Sequence, residues 1–120
     1  MKIVNKHVFG ELYGCSKEIL EDEEYLRRLV RQAVKVSNAK LLDLKSWKVG
    51  GPKGGVSVIA LVLESHIAIH TWPEYQYATL DVYTCGKHTD PKKGFMFIVH
   101  NLKPQHYTIN EVDRSYREEH

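Results

Sequence analysis

The stretch Leu61-Val62-Leu63-Glu64-Ser65-His66-Ile67-Ala68-Ile69-His70-Thr71-Trp72-Pro73-Glu74-Tyr75 lies near the middle of a 120-residue chain and decides how the rest is read. It opens on the end of an almost wholly apolar run, Val56 to Leu63, whose β-branched residues suit a central strand. From Ser65 to Thr71 apolar and polar residues alternate, the period of a second strand. Two features do not belong in an ordinary buried hairpin. Glu64-Ser65-His66 interrupts the apolar sequence, and a second histidine, His70, runs straight into Thr71-Trp72-Pro73-Glu74. Glutamate and histidine are costly to bury without partners, so their placement points to chemistry.

Working outward, Lys6 to Tyr13 reads as a strand through Val8, Phe9, Leu12 and Tyr13. Ser16 and the acidic run Glu21-Asp22-Glu23-Glu24 make a helix start, because carboxylates favour the positive end of a helix dipole. Leu26, Leu29, Val30, Ala33 and Val34 then recur at i, i+3/i+4 with Arg27, Arg28, Arg31 and Lys35 opposite, an amphipathic helix that Asn38 stops. Leu41 to Val49 is a strand, and Gly50 to Gly55 a turn or mobile loop without the Gly-Lys-Ser/Thr of a phosphate-binding loop. Tyr77 to Cys85 is a further strand. Thr89-Asp90-Pro91 starts a second helix, with Asp or Thr as cap and proline at the first position. Phe95, Ile98, Val99 and Leu102 mark its buried face, and Pro104 stops it. Gln105 to Val112 reads as a last strand, and Asp113 to His120 as a charged tail that frays. The order β-α-β-β-β-β-α-β predicts an α+β two-layer sandwich, an antiparallel sheet with two helices on one face. Its other face would need a cover, which favours a dimer.

The length fits one domain, 1–120, with enough chain to bury a core. Charged residues at 27% and a net charge of +2 are too mild for a nucleic-acid surface. No apolar run reaches the ~20 residues of a membrane span, and the first residues lack the apolar core of a signal peptide; a cytoplasmic protein is the expectation. The two cysteines, Cys15 and Cys85, form no Cys-x-x-Cys pair, which argues for free thiols in a reducing compartment rather than a disulfide or zinc scaffold.

His66 and His70 share one face of their strand and make candidate metal ligands with His88 or Glu74, but a third ligand at motif spacing is missing. A serine hydrolase lacks its Gly-x-Ser-x-Gly elbow. Taken singly, Trp72-Pro73 reads as an aromatic plug on a turn and Cys85 before Gly86 as a small buried residue. Taken together, a nucleophile, an imidazole and a thiol fall at the ends of neighbouring strands, with Ser57 next door.

Ser57, Glu64-Ser65-His66, His70-Thr71-Trp72-Pro73-Glu74 and Tyr83-Thr84-Cys85-Gly86 resemble the small prokaryotic S-adenosylmethionine decarboxylases, which make a pyruvoyl cofactor from their own chain. The likeness extends through Lys6-His7-Val8 and Glu11 to Cys15 at one end and Asp113-Arg114-Ser115 at the other, and Gly50 to Gly55 with the Asp-Arg-Ser ending resembles the archaeal branch. It implies that Ser65 attacks the carbonyl of Glu64, giving an ester by N-to-O acyl shift. β-Elimination then releases residues 1–64, and the dehydroalanine left at 65 takes up water and loses ammonia to give a pyruvoyl group heading residues 65–120. Ser57 and His70 assist, with His70 removing the Cα proton. The ketone then forms a Schiff base with the substrate amine and draws electrons as CO2 leaves, and Cys85 returns the proton. Trp72 and Glu74 match substrate-binding positions, for stacking or cation–π contact and for ribose hydroxyls. Cys15 is left structural. The active unit implied is a homodimer of processed protomers supplying aminopropyl groups for spermidine and polyamine synthesis. Bacterial members carry an adenine-stacking aromatic where Gly50-Gly51 stand here, the nearest aromatic being Trp47, so arginine, the substrate of an archaeal relative, is the alternative. A non-catalytic binding domain that never cleaves is the alternative from another class.

Overall fold

The computed structural model describes residues 2–118. Strand β1 (Lys2–Ile3) leads into β2 (Asn5–Tyr13), a one-turn helix α1 (Lys17–Leu20) and the long helix α2 (Glu23–Val36). Four long strands follow: β3 (Leu41–Val49), β4 (Gly55–Val62), β5 (Ser65–Trp72) and β6 (Tyr77–Cys85). Helix α3 (Pro91–Leu102) and three short strands, β7 (His106–Tyr107), β8 (Asn110–Asp113) and β9 (Tyr116–Arg117), complete the chain. The main sheet runs β3-β4-β5-β6-β2-β7, with β8 also on β2, and every pairing is antiparallel. Helix α2 lies over β3, β4 and β5, and α3 over β6 and β2. The α+β sandwich expected from the strand and helix order is the fold observed. No helix among the described residues is long and apolar enough to cross a membrane.

Strand alternation sorts the side chains into two layers. Val56, Val58, Ala60, Ile67, Ile69, Leu80 and Val82 face the helices and are buried against Leu26, Val30, Phe95 and Ile98. Each valine, isoleucine, leucine or phenylalanine among them stabilises the fold by roughly 1.5–3 kcal/mol when removed from water. The intervening residues Ser57, Ile59, Leu61, His66, His70 and Trp72 form the opposite, outer face, which α2 and α3 do not cover among the described residues. Leu61 there is 45% exposed and Trp47 47%.

Three expectations need correction. Ser16 starts only the short α1; the main helix begins after Asp22, whose carboxylate accepts a 3.0 Å hydrogen bond from the Tyr25 N–H. The last strand is split at Thr108-Ile109, because the Thr108 N–H donates to the Glu11 carbonyl and its hydroxyl to the Glu11 carboxylate at 2.7 Å. The C-terminal tail does not fray over its described part: β8 pairs with β2, Ser115 Oγ accepts from the Asn5 N–H at 3.1 Å, and Tyr116–Arg117 pair with Lys2–Ile3. Positions 119 and 120 of that tail lie outside the described residues.

Candidate active site

Strands β4 and β5 are joined by only Leu63 and Glu64, with Val62 paired to Ser65. A two-residue connection forces one backbone out of the ordinary regions, and here it is Glu64, at φ +67°. Positive φ at the second turn position is the pattern of a type II turn, which normally places glycine or asparagine there. For glutamate the conformation costs about 1–2 kcal/mol. The Ser65 hydroxyl, immediately after it, donates to the Leu63 carbonyl at 3.3 Å.

Cys85 ends β6 beside this turn, its Sγ 3.5 Å from Glu64 Oε2. Burial, and after it the Glu64 carboxylate, push the thiol above its ordinary pKa. Glu64, Ser65 and Cys85 share a cavity of about 190 Å³ with Lys40, Gly86 and His88. Gly86 has φ +101°, and the His88 ring occupies the space a side chain at 86 would need. Lys40 carries no local sequence signal for this role, since only the packing of strand ends brings it in.

Ser57 and His70 are register partners on β4 and β5, and Ser57 Oγ lies 2.7 Å from His70 Nδ1. Trp47 is the partner of Ser57 on β3, and Trp72 flanks His70 on β5. These four line a second cavity of about 220 Å³ with Lys53. The Trp72 ring lies 5.2 Å from Tyr77, which continues to Tyr13 and His106 at 5.4 and 5.7 Å, a ladder of rings across four strands. Glu74 is drawn away to Lys17 Nζ at 3.0 Å.

Within one chain, then, the structure brings Glu64, Ser65 and Cys85 together, and Ser57 with His70, but not the two sets. Ser65 and His70 are five residues apart on one strand, which is about 16 Å at 3.3 Å per residue and, being an odd number, puts them on opposite faces. The expected convergence at neighbouring strand ends fails for His70 for that reason. His66 and His70 do share the outer face, but His66 packs on Tyr83 at 5.5 Å. Among the described residues no group of three or more His, Cys, Asp or Glu side chains is placed to hold a metal ion. Cys15 is fully buried, and burial alone pushes its pKa up to about 11, an inert core thiol.

A family model described as S-adenosylmethionine decarboxylase matches residues 6–115. The S-adenosylmethionine decarboxylase proenzyme of Sulfurisphaera tokodaii is 60% identical over 114 residues, 95% of this chain and 91% of that protein. The arginine decarboxylase proenzyme of Pyrobaculum arsenaticum is 56% identical over 116 residues, 96% of this chain and 87% of its own. That of Hyperthermus butylicus is 59% identical over 113 residues, 94% and 80%. The crystal structure of the adenosylmethionine decarboxylase from Aquifex aeolicus superposes with a TM-score of 0.88 at 31% identity, covering 100% of this chain and 98% of that one.

Proposed function

Since the chain belongs to the S-adenosylmethionine decarboxylase family of pyruvoyl-dependent decarboxylase proenzymes, we propose that it cuts itself between Glu64 and Ser65 and then decarboxylates S-adenosylmethionine. The observation that carries this reading is the left-handed Glu64 at φ +67° immediately before a serine, with a raised thiol in the same cavity. An amide bond is planar and unreactive, so attack by Ser65 Oγ on the Glu64 carbonyl needs help. Strain of about 1–2 kcal/mol supplies a minor part, and donors to the developing oxyanion supply the rest. The residues fit a pyruvoyl group at position 65: it heads β5, opens on the 190 Å³ cavity and shares that cavity with Cys85. That group supplies an electron sink for the carbanion left by CO2. Cys85, held as a thiol, donates the proton to that carbon.

The Ser57–His70 pair enters from a second copy in this reading. Two chains packed through their outer faces about a two-fold axis lying across the strands exchange strand ends, so the His70 end of one meets the Ser65 end of the other. Two-fold dimers are the commonest assembly, and the half-exposed Leu61 and Trp47 on the outer face favour this one. His70 of the partner subunit then takes the Cα proton of the Ser65 ester, its ring oriented through Nδ1 by the partner's Ser57. Trp47 and Trp72 offer aromatic faces to the adenine or the sulfonium. The Lys17–Glu74 pair is half-exposed on both sides and a solvent-screened contact of little weight, so it leaves Glu74 free to reach a ribose. The product would serve as an aminopropyl donor for polyamine synthesis.

Arginine is the second reading, favoured by the arginine decarboxylase names of relatives 56% and 59% identical. Purified, processed protein assayed for CO2 release with each amino acid separates the two. Turnover of S-adenosylmethionine with arginine inert is the expected result, and the reverse selects arginine. No release from either, with the chain uncut, leaves only a binding domain.

A further inference from the structure

Processing uses the backbone carbonyl of Glu64, but its side chain has no part in that chemistry and still makes a specific contact. We propose that the Glu64 carboxylate is a positioning residue for Cys85, holding it in the protonated state that the proton-donating step requires. This rests on the reading of Cys85 as proton donor.

The geometry behind it is set by the sheet. His66 pairs with Tyr83 in the β5–β6 register, and continuing that register by two residues sets Glu64 opposite Cys85. The observed contact, Sγ to Oε2 at 3.5 Å, is therefore dictated by strand pairing and by the turn that ends β4. A carboxylate at that distance accepts the S–H proton and disfavours a second negative charge beside it. The thiol is indeed shifted upward, by burial first and Glu64 second. The other titratable groups near Cys85 are Lys40 and His88 in the cavity, Lys87 in the loop beyond β6, His66 on the same face of β5, Asp113 beyond β2, and Arg114, whose guanidinium sits 4.7 Å over the Tyr83 ring; none of them contributes to the thiol's shift. Asn5, opposite Cys85 on β2, is neutral. Among the described residues, Glu64 is the charged group that shifts the thiol, and it shifts it upward.

Cleavage strengthens the effect. Cutting the 64–65 bond makes Glu64 a chain terminus and adds its α-carboxylate, so the step that creates the ketone also brings a second anion to its proton donor. In each turnover the S–H bond breaks as the C–H bond forms, leaving a thiolate. That thiolate, beside carboxylates, regains its proton from water rather than persisting as a nucleophile.

The test is the pH dependence of iodoacetamide alkylation at Cys85, located by peptide mass, with buried Cys15 as the unreactive reference. It is made on uncut chains, Ser65→Ala against Ser65→Ala with Glu64→Gln. The glutamine variant should show a lower titration midpoint and, at pH 8, alkylation about threefold faster, the effect of half a pKa unit on thiolate fraction. In the cleaved enzyme, Glu64→Gln should move the alkaline fall in turnover to lower pH. An unchanged midpoint in the glutamine variant overturns the proposal. A wild-type chain that never cleaves overturns the functional reading instead, and the two failures are told apart because the alkylation comparison does not depend on cleavage.

Discussion

At Glu64 the backbone is held at φ +67°, where an L side chain crowds the following carbonyl by about 1–2 kcal/mol. Glycine at this position would be free of that crowding. In a Ser65→Ala background, Glu64→Gly should therefore raise stability toward urea by about 1 kcal/mol, while in the cleavable chain it should slow the cut roughly fivefold if the strain is spent on the acyl shift. Faster or unchanged cleavage would show that the strain is incidental. The residue types that carry the site were legible from sequence, since Glu64, Ser65 and His70 stand out in an apolar run. The left-handed turn was not, because nothing in Leu63-Glu64 resembles the glycine or asparagine such turns favour. Nor could residue type alone tell Cys85 from Cys15. One sits at a strand end beside a carboxylate and the other is sealed in the core, and only packing separates them.

Elements whose boundaries rest on local alternation were read closely. Leu41–Val49 and Tyr77–Cys85 stand as expected, and Asp90 caps α3 through the Lys93 N–H at 3.0 Å, ahead of Pro91. Thr89, the other cap candidate, is buried and bonds Thr84 Oγ1 at 2.9 Å instead. Elements settled by distant partners are not legible from local sequence. Asp22 rather than Ser16 opens the long helix, and the C-terminal strands take their positions from β2 and β1 across about a hundred residues of sequence. Odd spacing along β5 puts Ser65 and His70 on opposite faces, so within one chain the convergence expected at neighbouring strand ends does not include His70.

For the molecule as a whole, the split between the Ser65–Cys85 end and the Ser57–His70 end has a consequence that one chain cannot satisfy alone. Neither Ser65→Ala nor His70→Ala should cleave by itself. Co-expressed, they should form mixed dimers in which the Ser65 of the His70→Ala chain meets an intact Ser57–His70 pair, so that this chain alone is cut. Cleavage of neither chain in the mixture would place the catalytic pair within each protomer after all.

The self-made cofactor is tested most directly by the intact mass of purified wild-type protein before and after borohydride treatment. Two fragments should appear, 1–64 and 65–120, and only the second should gain the two hydrogens of a reduced ketone. A single unreduced mass for the whole 120-residue chain would contradict the account.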